Sequence, residues 1–384
     1  MLRVTPTFWG LPVVGALAAA LLSGCSGRAP LGSVSPQAVT DTLWYISVRA
    51  RDALGRDTRR LADSLEFGLV VSRIRSDGNI LAGDIDVSQV DSVRLTASAF
   101  AAALRHRARR TPGGDSLAVL IVHGFGTSLR EAWSYAAEAR VRSRSGAPWV
   151  AFCWPSNGAG VAWPRPGQIL TRAYREDSAA ATASLSGFSE AARVLISSLG
   201  SNHLVVVAHS MGSQVVGSAL AEDTLLRAVL AEGRLRGLAF IAPDIETQYF
   251  NGLVIPAIRP LTQRIVIYAS SNDRVLQLSR AINRTGRAGL IRDETVSFSG
   301  VEIVDTTEGA SAENPAHRVV GTHHAIKRAS AVLFDLHIIF GGYAADCRAT
   351  LGTGELQSRG SWKLSAATPP PLSALAACAR LTSP

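Results

Sequence analysis

The sequence predicts an α/β fold, a doubly wound and mainly parallel sheet with helices on both faces. From about residue 116, short runs rich in Val, Ile and Leu alternate with segments of helical period. These runs are continuously apolar, which is typical of strands covered on both faces. Helices between consecutive strands favour a parallel sheet. The hydrophobic content of 47% is sufficient to bury a sizeable core.

The elements follow in order along the chain. Upstream, residues 43–48 and 66–74 have strand composition and residues 98–110 have helical composition. A capping box at Ser128 to Glu131 starts one later helix, and the apolar positions from Leu185 to Leu199 form one face of another. The predicted strands of the regular region are SLAVLIVHG (116–124), PWVAFCWP (148–155), HLVVVAHS (203–210), RGLAFIAPD (236–244), QRIVIYASSND (263–273) and VEIVD (301–305).

The amino terminus has the layout of an export signal, with a cation at Arg3 and an apolar stretch that ends at Leu22. The apolar stretch is short for a membrane span. The following Ser-Gly-Cys resembles a bacterial lipobox, which implies cleavage before Cys25 and lipidation of its thiol. Residues 1–24 are therefore predicted to be a lipoprotein signal peptide, followed by a lipidated tether over 25–42. Ser26 favours the outer membrane of a bacterial envelope, with the protein facing the periplasm.

Residues 43–341 are predicted to form the folded domain, and residues 342–384, which include a run of three prolines, are predicted to be an irregular tail. An oxidising compartment would let Cys347 and Cys378 pair. Cys153 lies in an apolar strand pattern and is interpreted as a core residue.

The net charge of +9 comes almost entirely from scattered arginines. Without a recognisable binding module or an aromatic-interleaved basic stripe, this charge predicts no nucleic-acid partner. The sequence carries no signal for an oligomeric state.

Residues 204–216, LVVVAHSMGSQVV, run from a buried strand into a helix with Ser210 at the turn. A nucleophile elbow requires small residues two positions before and two after the serine. Ala208 and Gly212 satisfy this requirement, with alanine in place of the usual first glycine. The pattern predicts that Ser210 is a nucleophile.

In this type of fold an acid and then a histidine follow the serine along the chain. Asp273 and the earlier Asp244 both follow strands, and His323 comes after the last predicted strand. The oxyanion hole would use the backbone N–H groups of Met211 and Phe125. His123 precedes the serine and is interpreted as structural, and His209 as structural or substrate-lining.

Six blocks in this order resemble a bacterial α/β-hydrolase family of unknown function, related in its core to lipases and other serine esterases. The resemblance covers about residues 43–341 and implies the alpha/beta-hydrolase fold. It favours Asp273 over Asp244 as the acid and selects His323 as the base, with His324 as the alternative one residue away. The blocks are VLIVHGFGTS, FCWPS, VAHSMG, IAPDIE, YASSNDRVL and GTHHAIKRASAVLFDL.

This chain departs from the family at two places. The family usually has Tyr-Asn where this chain has Phe125-Gly126, which removes an asparagine side chain and keeps the backbone donors. The family usually has Gly-His-Ser-Tyr where this chain has Thr322-His323-His324-Ala325.

The sequence thus predicts a serine hydrolase that acts on a small-molecule or lipid ester through an acyl-enzyme, attached to the membrane through Cys25. The chemistry requires no cofactor, and no Cys/His cluster with metal-ligand spacing is present. One alternative is a non-catalytic envelope lipoprotein that keeps the fold as a binding or scaffold protein. Another is an acyltransferase or thioesterase that uses the same serine.

Overall fold

The protein is described by a computed structural model that covers residues 37–76, 85–110, 117–156, 166–291, 300–308, 322–323, 330–357, 360–365 and 368–381. The predicted signal peptide, Cys25 and His324 lie outside these ranges. Across the ranges that are covered, none of the helices combines the length and the apolar character needed to cross a bilayer.

A single sheet of eleven strands, in the order β10-β11-β9-β8-β7-β6-β4-β5-β1-β2-β3, forms the centre of the molecule. Eight neighbouring strands from β11 to β1 are parallel, and among the described strands the antiparallel pairs lie at the two edges of the sheet. The mainly parallel sheet confirms the predicted fold class. The strands are β1 (Gln37–Arg51), β2 (Asp57–Ser76), β3 (Ile85–Leu95), β4 (Ala118–Val122), β5 (Trp149–Cys153), β6 (Leu204–His209), β7 (Gly237–Ile241), β8 (Ile265–Ala269), β9 (Glu302–Asp305), β10 (Gly354–Leu356) and β11 (Trp362–Leu364).

Helices cover both faces of the sheet. They are α1 (Ala97–Arg109), α2 (Leu129–Ser143), α3 (Pro166–Ala183), α4 (Leu185–Leu199), α5 (Gly212–Glu222), α6 (Thr224–Glu232), α7 (Arg274–Asn283) and α8 (Ser330–Phe340), with short helical turns at Thr247–Tyr249, Phe250–Val254, Ile255–Ile258, Arg259–Leu261, Cys347–Thr350 and elsewhere. Apolar residues of α1, α3, α4, α5 and α6 contribute to one core, and those of α2 and most of those of α8 contribute to the other, whereas Phe334 and Ile338 of α8 pack in a smaller third cluster.

Strand residues alternate between these two cores. In β4, Leu120 packs into the core below α5, whereas Val119 and Ile121 pack into the core below α2. Because neighbouring side chains of a strand point to opposite faces, a strand buried on both sides must be apolar at every position. All five residues of β4 and all six of β6 are buried.

The amino-terminal boundary differs from the prediction of a tether up to residue 42. β1 already begins at Gln37, and residues 37–42 pair with residues 71–76 of β2 in antiparallel register. These residues are largely polar, so the continuous apolar pattern that indicates a buried strand is missing. This part of the β1–β2 ladder extends past the residues of β1 that pair with β5, and Val39, Thr40 and Thr42 are exposed.

The carboxy-terminal prediction is corrected for the residues that the structure describes: residues 342–357, 360–365 and 368–381 are not an irregular tail. β11 pairs with β9 in parallel register through Trp362 and Lys363, and β10 adds an antiparallel strand at the edge. Cys347 and Cys378 form a disulfide. The two strands have three residues each, too short for a hydrophobic period to show in the sequence.

A buried ion-pair network holds this segment against the sheet. Arg348 has no exposed surface and donates to both carboxylate oxygens of Asp335 on α8, at 2.7 and 2.8 Å, and to Glu302 of β9. Tyr268 of β8 donates to the same Asp335 at 2.7 Å. Charged residues of this kind are expected at the surface from sequence alone, because they are buried only when paired.

Candidate active site

Ser210 lies at the tight turn between β6 and α5. Its φ is +53°, in the left-handed region that costs a non-glycine residue free energy. Two backbone hydrogen bonds hold the turn: the Ser210 N–H donates to the Ile241 carbonyl, and the Asp244 N–H donates to the Ser210 carbonyl, both at 3.0 Å. This strained strand-to-helix turn has the geometry of a nucleophile elbow.

Two glycines allow the elbow to pack against the end of β4. A Cβ on Gly212 would lie 2.6 Å from the carbonyl oxygens of both Val122 and His123, and one on Gly124 would lie 2.8 Å from Cβ of Ser210. Ala208, which pairs with Val122 in the sheet, is fully buried. Close backbone contact therefore requires glycine at position 212, two residues after the serine. Two residues before the serine, the fold accommodates alanine.

The two predicted oxyanion donors flank the serine. Met211 is the residue before the first turn of α5, where unpaired N–H groups carry partial positive charge. Phe125 lies in the turn after β4, and its ring contacts Tyr174 at 5.8 Å. Over the part of the chain that the structure describes, neither backbone N–H donates a hydrogen bond. Both are thus available to an oxygen of a ligand.

His323 and Asp273 are in direct contact. Nδ1 of His323 donates to Oδ2 of Asp273 at 2.8 Å, and both side chains are almost completely buried. The other oxygen of Asp273 accepts from the Leu276 N–H at 2.8 Å, as the N-cap of α7. Because the Nδ1–H is used by Asp273, Nε2 is the nitrogen that can accept a proton.

The charge of Asp273 affects the basicity of His323. Burial by itself lowers the pKa of His323, but the negative charge and hydrogen bond of Asp273 outweigh it, with a smaller contribution from Asp244. The resulting pKa is raised above the ordinary histidine value of 6.5.

The third contact of a triad would join Nε2 of His323 to Oγ of Ser210. His209, the neighbour of Ser210, donates from Nε2 to the carbonyl of His323 at 3.0 Å, and the two rings lie 5.1 Å apart. The hydrogen bonds between described residues do not include one from the serine hydroxyl to the His323 ring. Such catalytic bonds are often long until substrate is bound.

Asp244 occupies a different network. Its carboxylate accepts from Ser279 at 2.6 Å and from Tyr174 at 2.9 Å, and it lies 3.4 Å from the Arg287 guanidinium. Burial raises the pKa of Asp244, opposed by Arg287 and the two hydroxyls. The structure therefore brings Asp273, and not Asp244, into hydrogen-bond contact with the histidine.

The remaining histidine and cysteine near the site have other surroundings. His123 is 3% exposed, stacks on Trp154 at 5.1 Å and donates from Nδ1 to the Gly124 carbonyl. Burial lowers the pKa of His123 to about 3, so the ring is neutral at physiological pH. Cys153 is buried in β5, and burial raises the pKa of its thiol to about 12. Neither group has the properties of a general base or a reactive thiolate.

Several buried polar residues at this end of the sheet were missed by sequence reasoning. They are separated in the chain by up to 238 positions, from Arg49 to Arg287, and no motif connects them. Only Ser156 belonged to a block noted from the sequence, FCWPS. These residues are Arg49, Ser156, Tyr174, Asp177, Ser279 and Arg287. The described ranges contain no cluster of His, Cys, Asp and Glu side chains arranged to hold a metal ion.

The parallel sheet with helices on both faces, and an elbow at the end of β6 that faces a buried histidine, define the class of α/β hydrolases. The model of the family described as "Alpha/beta hydrolase of unknown function (DUF900)" matches residues 98–331, more than half of the chain. The protein belongs to this family. A search of curated proteins found no match.

Proposed function

We propose that the protein is a serine hydrolase that cleaves a carboxylic ester or a related acyl substrate through an acyl-enzyme. The observation that carries the proposal is the buried Asp273–His323 hydrogen bond beside a serine held in the left-handed conformation. Serine, histidine and aspartate are the three residue types that together activate a hydroxyl nucleophile.

Each residue has one role in the proposed reaction. His323 accepts the Ser210 proton at Nε2 as Oγ forms a bond to the acyl carbon, and then donates that proton to the leaving group as its bond breaks. Asp273 keeps the imidazole in the required tautomer and stabilises its cation. The N–H groups of Met211 and Phe125 donate to the oxyanion. Water then attacks the acyl-enzyme, with His323 again as the base.

To test this proposal, a protein of residues 26–384, which lacks the lipid anchor, is treated with a fluorophosphonate. The mass of the intact protein is then measured. One adduct on the wild type that is lost in Ser210→Ala supports an activated serine with a working oxyanion hole. A folded wild type without adduct contradicts the proposal and favours the non-catalytic alternative. Added alcohols and thioesters then show whether an active preparation transfers or hydrolyses the acyl group.

The pH dependence of activity follows from the His323 pKa. The base must be neutral, so kcat/KM is expected to fall on the acid side with a midpoint above 6.5. Asp244→Asn removes a negative charge that raises the His323 pKa and is expected to move this midpoint down. Steady-state rates between about pH 5 and pH 9 measure both midpoints. A wild-type midpoint below 6.5 would contradict the assignment of His323 as the base.

We propose further that the protein is attached to the periplasmic side of a bacterial outer membrane through lipidated Cys25. The proposal predicts that Cys25→Ser moves the protein from the membrane fraction to the soluble fraction of cells. An unchanged distribution after a high-salt wash would contradict lipid attachment, because salt removes proteins that are held only by charge.

The direction of the sheet determines how such an anchor would orient the site. β1 is parallel to β5, so Gln37 lies toward the amino edge of the sheet, whereas Ser210 lies at the carboxyl edge. The distance along β1 from Gln37 to Ser47 is about 33 Å. An anchor on Cys25 would therefore join the described part of the chain at the edge of the sheet opposite Ser210.

A further inference from the structure

We infer that Asp177 is a positioning residue for the oxyanion hole. Its buried carboxylate, together with Ser156, holds the turn after β4 in the conformation that presents the Phe125 N–H. The inference rests on the proposed function, because it concerns a reaction in which negative charge develops on a substrate oxygen.

The carboxylate of Asp177 is bonded directly to this turn. Oδ2 of Asp177 accepts from the Gly126 N–H at 2.9 Å and from the Ser156 hydroxyl at 2.5 Å. Oγ of Ser156 in turn accepts from the Thr127 N–H at 3.0 Å. The two peptide N–H groups that follow Phe125 are therefore held by one carboxylate and one hydroxyl.

The carbonyl groups of the turn are paired as well. Nη2 of Arg49 donates to the carbonyls of Thr127 and Ser156 at 2.7 and 3.1 Å, and the Thr127 hydroxyl donates to the Phe125 carbonyl at 3.2 Å. The Phe125 N–H has no acceptor among the described residues. The network thus pairs the groups around this donor and leaves the donor itself available.

Gly126 cannot hold this conformation by itself. Its φ is +65°, a region that glycine enters without steric cost, and it has no side chain to pair with the backbone. Among the described residues a Cβ at this position would meet nothing within 4 Å, so their packing does not restrain the glycine either. The conformation is therefore held by hydrogen bonds to neighbouring groups, among them the one that the Gly126 N–H donates to Asp177.

The restraint comes from a rigid element. Asp177 is 1% exposed and Ser156 is completely buried, so water does not compete for these hydrogen bonds. Asp177 lies on α3 three residues after Tyr174, whose ring contacts the Phe125 ring. One face of α3 thus contacts both the backbone and the side chain of the turn. A rigid supporting shell of this kind determines how accurately an oxyanion donor is aimed.

The test compares Asp177→Asn, Asp177→Ala and Ser156→Ala with the wild type. It uses a p-nitrophenyl ester as substrate and a trifluoromethyl ketone, which forms a tetrahedral adduct with the serine, as inhibitor. Loss of one oxyanion donor costs about 10²–10³ in kcat, so misaiming it is expected to cost about 10–100-fold. Asparagine can still accept from Gly126, so the asparagine variant is expected to lose less than the alanine variant.

Three readouts separate a positioning role from a merely structural one. The KM for the ester is expected to stay within about twofold of the wild type, while the inhibitor affinity falls in proportion to kcat. The acid midpoint of the pH profile is expected to stay unchanged, because the Asp273–His323 pair is intact. Asp335→Asn is the matched control: it changes another buried aspartate, bonded to Tyr268 and Arg348, and is expected to lower thermal stability without lowering kcat.

Folded Asp177 variants with wild-type kcat and inhibitor affinity would overturn the inference. The inference would also be overturned if Asp335→Asn lowered kcat as much as the Asp177 variants do. A shift in the pH midpoint of the Asp177 variants would overturn it as well. If the Asp177 variants do not fold, Ser156→Ala decides the question by the same readouts. An inactive wild type would overturn the proposed function itself, whereas an active wild type with unchanged variants overturns only this inference.

Discussion

Ser210→Ala is expected to lower kcat/KM for an activated ester by about 10⁶-fold, because it removes the atom that attacks the acyl carbon. The residual rate would come from the oxyanion donors and from binding, which do not depend on the hydroxyl. Steady-state hydrolysis of a p-nitrophenyl ester measures the change. The substitution also places alanine at a φ of +53°, so a thermal unfolding curve must accompany the kinetics.

Ser213→Ala is the matched control for this prediction. Ser213 is a completely buried serine three residues later, at the start of the same helix, and its hydroxyl has no hydrogen-bond partner among the described residues. Its removal is expected to leave kcat/KM within a few-fold of the wild type. A Ser210→Ala enzyme that retains most of its activity would show that another group is the nucleophile.

Asp273→Asn is expected to lower kcat by about 10⁴-fold with little change in the fold. An asparagine amide at this position can donate to Nδ1 of His323, which would leave the proton on Nε2 and make that nitrogen unable to accept the serine proton. Asparagine also keeps an oxygen that can accept from the Leu276 N–H, so the start of α7 is preserved. The rates and the circular dichroism spectrum of the purified variant test both statements.

Asp244→Asn is the control variant that shows whether the loss of activity is specific to Asp273. Asp244 is equally buried and follows the neighbouring strand, but its carboxylate is bonded to Ser279 and Tyr174. Most of the activity is expected to remain in this variant. The reverse order of effects, with Asp244→Asn the more damaging change, would identify Asp244 as the acid.

The central strands could be predicted because their burial leaves a direct signature in composition. β4, β6 and β8 are buried on both faces, so almost every position in them is apolar. The edges of the sheet lack this signature. The first residues of β1 are largely polar, and β10 and β11 have three residues each, so a hydrophobic pattern in the sequence does not reveal these strands.

The candidate site likewise has some features that the sequence predicts and others that only the folded structure reveals. Ser210, Asp273 and His323 each follow a strand of the parallel sheet, and carboxyl ends of parallel strands meet at one edge. Their chain order was therefore informative before any contact was known. The same rule applies equally to Asp244, which also follows a strand. Only the hydrogen bonds distinguish the two aspartates, since Asp273 contacts His323 and Asp244 contacts Tyr174 and Ser279.

By itself, the sequence determined the order of the central strands and helices, the elbow at Ser210 and the candidates for its partners. These features depend on neighbouring residues in the chain, through hydrophobic period and the need for small residues at a tight turn. The tertiary structure decided which aspartate contacts His323, how Asp177 and Arg49 hold the turn at Phe125, and how Arg348 joins the carboxy-terminal segment to the sheet. Those contacts connect residues far apart in sequence, and a buried charge reveals its partner only when the folded chain places the two within hydrogen-bond distance.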